Sequence, residues 1–256
     1  MDIQQGAQLL RLAEMNKQPI APFTSSTDIS VDDAYRIQLL QIQDKTEAGA
    51  EVVGMKIGLT SKVMQDMFKV TTPDFGHILN TMVYTEEEPI NIQQFLQPKV
   101  EFELAFFLKA DLKGPNVSEQ DVIAATEAIA PAIEIIDSRI ENWQFQFQDT
   151  VADNGSSAGA VIGKMRTAVD LQGLETIELV AKRNGEVFDK GISSAVMGNP
   201  AKAVAWLANM LSDYDITLKA GQFILAGAIT AAVTFEAGDT FEADFGTYGT
   251  VRVAFS

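Results

Sequence analysis

The chain of 256 residues has no cysteine and a single histidine, His77. Without thiols there is no cysteine nucleophile, no disulfide and no thiolate metal site. One imidazole argues against histidine-based zinc sites and against a Ser-His-Asp triad. Basic residues are scarce too: 19 Lys and Arg stand against 35 Asp and Glu, a formal charge of −16. With no basic stripe to neutralise phosphates, a nucleic-acid partner is excluded, and anionic membrane surfaces are disfavoured. No apolar run approaches a membrane span, because Glu, Gly or Pro interrupts each of the longest ones. The opening Met1-Asp-Ile-Gln-Gln5 lacks the basic and apolar regions of a signal peptide, so a cytoplasmic protein is expected. Repeats and low-complexity tracts are absent as well. Catalysis, if present, must run on carboxylates, lysine, hydroxyls and a hard metal ion.

What is there is an ordinary globular balance, 46% apolar and 21% charged. Helical spacing predicts helices over 6–15 and 34–48, the second opened by a Ser30/Asp33 capping pattern, with Pro19, Pro22 and 24–27 between them. From Glu51 the pattern turns to strands. We expect strands over 52–58, 100–108, 132–136 and 160–162, and a short helix over 61–68. Residues 71–76 and 149–157 read as loops. A helix capped by Ser118 with Asp121 is expected to run to about residue 130, where Pro131 breaks it. Asn184-Gly185 marks a hairpin between 177–183 and 186–190. Pro200 opens a helix to Leu211, followed by short strands over 222–225, 231–235, 240–244 and 250–255. Helix and strand do not alternate regularly, which speaks against Rossmann and TIM-barrel folds. The expected organisation is α+β: a helical N-terminal segment, 1–50, and a β-rich catalytic domain, 51–256.

Three glutamates stand in apolar surroundings. Glu101 and Glu103 lie in Val100-Glu-Phe-Glu-Leu104, and Glu134 interrupts Ala132-Ile-Glu-Ile-Ile136. On a strand, Glu101 and Glu103 share one face while Val100, Phe102 and Leu104 share the other. Burying unpaired carboxylates is unfavourable, and three together repel. A divalent cation with oxygen ligands would relieve both penalties. A solvated strand face plus one salt-bridged Glu satisfies the same spacing, and the spacing alone does not choose.

Other residues gain meaning beside these. Lys56, in Gly54-Met-Lys-Ile-Gly58, taken alone reads as an edge-strand lysine facing water; beside three carboxylates it can pair with an acidic substrate. Asp74, in Pro73-Asp-Phe-Gly76, taken alone is ordinary turn chemistry. His77 reads as a loop histidine, near enough to Asp74 to line a site. The polar stretch 149–157 (Asp-Thr-Val-Ala-Asp-Asn-Gly-Ser-Ser) can bring amides and hydroxyls to an anionic ligand, and is equally common as a simple turn.

Five stretches taken together, VVGMKIGLTSKVMQ, TPDFG, QPKVEFELAF, PAIEIIDSRIENW and DTVADNGSS, resemble the 2-keto-4-pentenoate hydratase / 4-oxalocrotonate decarboxylase group. That group belongs to the fumarylacetoacetate hydrolase superfamily. VAWLANML and the Gly/Asp-rich C-terminal strands match as well, so the likeness runs along nearly the whole chain in family order.

The resemblance implies a mixed β-roll with a helical N-terminal part. It implies Glu101, Glu103 and Glu134 as ligands of Mg²⁺ or Mn²⁺, and a homo-oligomer. Lys56 and Asp74 become the expected catalytic residues; Lys56, Thr60 and Ser156 are expected to bind a 2-oxo or 2-hydroxydienoic acid. Asp74 and Ser138-Arg-Ile-Glu-Asn-Trp143 match the hydratases, whereas Gly227-Ala-Ile-Thr-Ala-Ala-Val233 is closer to the decarboxylases. Gly198-Asn-Pro200 departs from the family's usual Gly-His-Pro. The leading expectation is hydration of 2-hydroxypenta-2,4-dienoate in aromatic catabolism. Decarboxylation of 4-oxalocrotonate at the same site stays open, as does a silent metal-binding subunit in complex with a decarboxylase or hydratase of the same pathway.

Overall fold

The computed structural model of the protein describes residues 1–167 and 171–256. Helices α1 (Ile3–Asn16) and α2 (Val31–Glu47) come first. Asp2 caps α1 by accepting from Gln4 N, and Ser30 caps α2 by accepting from Asp33 N. Each cap satisfies an amide that helix geometry leaves without a partner. Then come β1 (Val52–Gly58), α3 (Lys62–Phe68), β2 (Asp74–Leu79), β3 (Val83–Tyr84) and β4 (Pro98–Leu108). Helix α4 (Glu119–Ala125) leads directly into β5 (Thr126–Asp137), and α5 (Phe147–Ala152) precedes β6 (Ser157–Ile162) and β7 (Arg166–Thr167). Strands β8 (Glu178–Arg183) and β9 (Glu186–Ile192) form the hairpin that Asn184-Gly185 predicts. Helix α6 (Pro200–Leu211), capped by Asn199, is followed by β10 (Phe223–Leu225), β11 (Val233–Thr234), β12 (Thr240–Asp244) and β13 (Thr250–Ala254).

A nine-stranded mixed sheet runs β2-β1-β10-β4-β5-β6-β3, with β11 on β4 and β7 on β5. The β1/β10 and β3/β6 pairs are parallel. A four-stranded antiparallel sheet, β13-β12-β8-β9, packs against β5 and β6. The period-two pattern of β4 and β5 splits the core. Val100, Phe102, Leu104 and Phe106 join Ile129, Ile133 and Ile135 in the main cluster, which also takes Leu10, Tyr35 and Ile37 from the N-terminal helices. On the opposite face Ala105, Ala130, Ala132 and Ala160 make a smaller cluster with Phe223 and Leu225. That second face carries the glutamates. The α+β expectation and its mixed sheet hold.

Three local expectations do not. The Ser118-capped helix stops at Ala125, and Pro131 sits inside the long strand β5 rather than ending a helix. Pro131 O accepts from Gly163 N at 2.9 Å. In an antiparallel strand one residue's amide and carbonyl point to the same side, so the donor missing from Pro131 faces this gap. There the β6 ladder ends at Ala132–Ile162 and β7 begins at Ile129–Arg166. No ladder bond to β4 is lost.

Residues 74–79 form β2 and are buried throughout, where a loop is expected over 71–76. Pairing with β1, in a register that sets Gly58 opposite Asp74, overrides the local turn chemistry of Pro-Asp-Phe-Gly. Residues 149–157 are likewise no loop but the end of α5 followed by a tight 3₁₀ turn over Asn154–Ser156. Burial of Phe147, Val151 and Ala152 draws that stretch into a helix.

Candidate active site

Glu101 on β4 lies directly across from Glu134 on β5, with Glu103 opposite Ala132 and Glu134 also opposite Ala160. The small alanines leave a hollow above the sheet that the carboxylates fill. One oxygen from each of Glu101, Glu103 and Glu134 lies within 4.8 Å of the others. Glu103 and Glu134 are wholly buried, and Glu101 partly so. A solvated strand face is therefore ruled out.

Lys56 sits in the interior rather than at an edge, because β1 is flanked by β2 and β10. Its side chain, 4% exposed, enters the same hollow. Nζ donates to Gly155 O at 2.9 Å and stands 3.7 Å from Glu134 Oε2. Glycines make the room for this side chain. A Cβ on Gly155 would stand 3.3 Å from Lys56 Cδ, one on Gly76 would stand 3.2 Å from it, and one on Gly58 would stand 3.1 Å from Nζ.

Asp74, 2% exposed, faces Gly58 at the start of β2. Its Oδ2 accepts from Thr150 Oγ1 at 3.5 Å, and Oδ1 has no hydrogen-bond partner among the described residues. Thr60 follows β1, 5% exposed and packed on Gly227, whose backbone is left-handed at φ +122°. Gly227 N donates to Glu103 Oε2 at 2.7 Å. Ser156, 3% exposed, has a hydroxyl without a partner among the described residues. The structure thus brings Lys56, Asp74, Glu101, Glu103 and Glu134 together, with Thr60 and Ser156 on the turns that border them.

His77 does not join them. Strand alternation turns it to the face opposite Asp74, where it packs edge-on to Phe75 and its Nδ1 lies 3.0 Å from Gln38 Oε1 of α2. Burial lowers its pKa to about 4.

The electrostatics are those of a crowded, dry site. Burial pushes the Glu134 carboxyl up to about 8; Lys56 opposes this, Glu101 and Asp74 add to it, and the nearby Ser157 hydroxyl offsets it least. Burial likewise raises Glu103, with Glu134 and Glu101 adding to the rise, and raises Glu101 and Asp74 against the pull of Lys56. Burial alone would lower Lys56, but Glu134, Asp74, Glu101 and Glu103 outweigh it and hold the ammonium above its ordinary value. Among the described residues, Glu103 Oε1 and both Glu134 oxygens lack hydrogen-bond partners. The orphaned oxygens of Glu103 and Glu134, with an oxygen of the half-buried Glu101 within 4.8 Å of them, form an all-oxygen donor set, which fits a hard divalent cation.

Sequence reasoning missed the glycines around Lys56, the Gly227 amide on Glu103, and Thr150. Gly58 alone left a signal: two residues beyond Lys56 on a strand, it must share the lysine's face. A cavity of about 530 Å³ lies elsewhere, behind the Asn154–Ser156 turn, lined by Lys17, Lys45, Asp137, Arg139 and Ser157 among others. None of the three glutamates borders it.

A mixed sheet holding two wholly buried glutamates and a half-buried third, an interior lysine and an aspartate with one unpaired oxygen defines a class. Residues 52–256 match the fumarylacetoacetate (FAA) hydrolase C-terminal family, and the chain belongs to it. Among its relatives is a 2-hydroxyhexa-2,4-dienoate hydratase of Comamonas testosteroni, 41% identical over 99% of this chain and 97% of the relative. A 2-keto-4-pentenoate hydratase of Paraburkholderia xenovorans is 40% identical over 98% and 94%. The structure of 4-oxalocrotonate decarboxylase from Pseudomonas putida G7, complexed with magnesium and adipate, superposes with a TM-score of 0.93 at 35% identity, covering 100% of this chain and 99% of that one. Hydration and decarboxylation are both lyase reactions, and the chain is an enzyme of that class.

Proposed function

We propose that the protein hydrates 2-hydroxypenta-2,4-dienoate to 4-hydroxy-2-oxopentanoate, with Glu101, Glu103 and Glu134 holding Mg²⁺ or Mn²⁺. The observation that carries this reading is Asp74: a buried carboxylate with a free oxygen, beside Lys56, in the hollow of the glutamates. The bound cation supplies Lewis acidity, stabilising negative charge on the substrate's 2-oxygen. Three carboxylates and one divalent cation sum to −1, so an anionic substrate needs another positive group. Lys56 provides it and pairs with the substrate carboxylate.

The dienol loses its 2-hydroxyl proton and gains one at C5, which makes C4 electrophilic. Water then adds its oxygen to C4, and Asp74 takes the proton that this water loses. The proton returns at C3, so the sum is one dienol and one water giving one hydroxy-oxo acid. Burial raises the Asp74 carboxyl against the pull of Lys56, which makes its carboxylate a stronger base. Ser156 and Thr60 donate hydrogen bonds to the substrate. The near-superposition on a decarboxylase supports a second reading, in which the same site stabilises the dienolate left when CO₂ departs from 4-oxalocrotonate.

A side-by-side assay separates the two. Dienol consumption without CO₂ release supports hydration; CO₂ from 4-oxalocrotonate with no dienol hydration sinks it. Asp74→Asn should lower hydration by about 10²-fold or more, the range of a general base, and unchanged turnover would remove Asp74 from the mechanism. The proposed homo-oligomer, and a complex with a pathway decarboxylase or hydratase, are checked by light scattering on the purified protein alone and with that partner.

A further inference from the structure

Asn154, Gly155 and Ser156 are consecutive left-handed residues, at φ 56°, 58° and 57°. For residues with side chains this region costs roughly 1–2 kcal/mol each, so such a turn persists only where its surroundings over-determine it. Arg139 does so. The residue is buried, and its side chain reaches both ends of the turn. Its Nη1 donates to Ser157 O at 3.1 Å and to Asp137 O at 2.6 Å, while Nη2 donates to Asp153 O. Its Nε donates to Asp153 Oδ1 at 2.5 Å, and its backbone amide donates to Asp153 Oδ2 at 2.9 Å. The guanidinium therefore spans the carbonyl before the turn and the carbonyl after it. A lysine ammonium, a single point of charge, cannot hold that fork.

The turn in question faces Lys56. Gly155 O accepts from Lys56 Nζ, and the Gly155 backbone leaves room for the lysine stem. This contact stands against the 3.7 Å separation between Nζ and Glu134 Oε2. If Gly155 O moves away, the ammonium has a buried carboxylate to fall onto. A buried ion pair such as Arg139–Asp153 is by itself a weak source of stability, which leaves its geometric effect as the distinctive one.

We infer that Arg139 is a positioning residue for substrate binding: by closing the turn from Asp153 to Ser157 it places Gly155 O, and Gly155 O holds Lys56 Nζ off Glu134. The inference rests on the reading above, in which Lys56 receives the substrate carboxylate. It predicts that damage at Arg139 falls on affinity rather than on the chemical step.

The experiment compares wild type, Arg139→Lys and Arg139→Ala as Mn²⁺-loaded full chains. Dienol hydration, Mn²⁺ affinity by paramagnetic resonance and folding by circular dichroism are measured for each. Arg139→Lys should fold and, at Mn²⁺ concentrations that saturate both proteins, show KM raised about tenfold or more and kcat within about threefold, the pattern of lost ground-state binding. Arg139→Ala opens a guanidinium-shaped gap onto the cavity that Arg139 lines, and millimolar guanidinium should bring its KM back down. If the alanine variant does not fold, Arg139→Lys carries the test. An unchanged KM in folded Arg139→Lys overturns the inference. So does a loss of activity that only tracks the folded fraction. Should wild type hydrate no dienol, the reaction assigned above falls instead. The comparison is then read from pyruvate binding to the Mn²⁺-loaded proteins, where equal affinity of wild type and Arg139→Lys overturns the inference.

Discussion

A Cβ on Gly58 would overlap Oδ1 of Asp74, its cross-strand partner, and crowd Lys56 Nζ as well. The absence of a side chain at one position is thus what lets two functional groups share a hollow. Gly58→Ala should lower kcat/KM by about 10²-fold, the scale of a displaced reacting group, while the melting temperature falls by only a few degrees. Steady-state assay of the dienol and thermal denaturation check both halves. Wild-type turnover in this variant would show that the close approach is not needed.

Glu134 makes an opposite trade of stability against function. Its pKa of about 8 in the folded, metal-free chain stands against an ordinary 4.5. A carboxyl raised in the fold costs stability above its unfolded value, here on the order of 3 kcal/mol at neutral pH. Glu134→Gln should therefore melt higher than wild type in EDTA. Added Mn²⁺ should raise the melting temperature of wild type and leave the variant nearly unmoved. Scanning fluorimetry of both proteins, with and without metal, gives the answer; a metal-free variant that melts lower than wild type counts against the repulsion.

Gly227 serves two neighbours at once, Glu103 through its amide and Thr60 through its missing side chain. At φ +122° any other residue is strained, and a Cβ there would collide with Thr60. Gly227→Ala should destabilise the fold by about 1–3 kcal/mol and weaken Mn²⁺ binding, because Glu103 loses its one anchoring donor. Denaturant unfolding and metal titration test this, and unaltered metal affinity would detach Gly227 from the site.

His77 predicts a pH dependence unrelated to catalysis. Burial lowers it to about 4 in the fold, whereas the unfolded chain protonates near 6.5. Between those values the unfolded state takes up a proton that the folded state refuses. The contribution is fully present above the unfolded pKa and is lost as pH falls towards the folded one, by about 3 kcal/mol in all. His77→Gln should flatten the stability curve in that window relative to wild type, measured by urea unfolding at several pH values. Superimposable slopes would refute the assignment.

Much of the architecture was legible because its signals are local. The Ser30 and Ser118 caps, the Asn184-Gly185 hairpin and the N-terminus of α6 lie where short-range chemistry puts them. Glu101 and Glu103 on one face follow from the period of a strand, and the paired register then set Glu134 against Glu101. Where local signals misled, a distant partner decided. Pro131 reads as a helix breaker until Gly163 is seen beside its carbonyl, and Asp74 reads as a turn residue until β1 claims it.

The sequence by itself determined the kind of chemistry available: carboxylates, lysine and hydroxyls, with no thiol and one histidine. It also determined that Glu101 and Glu103 share one face of their strand, since a period of two leaves no choice. Only the tertiary structure decided that the glutamates are buried rather than solvated, because burial depends on what packs above a strand and not on the strand. It alone brought Asp74, Lys56 and the turn held by Arg139 into one hollow. Those contacts join residues far apart in the chain, and no local pattern encodes a distance across the fold.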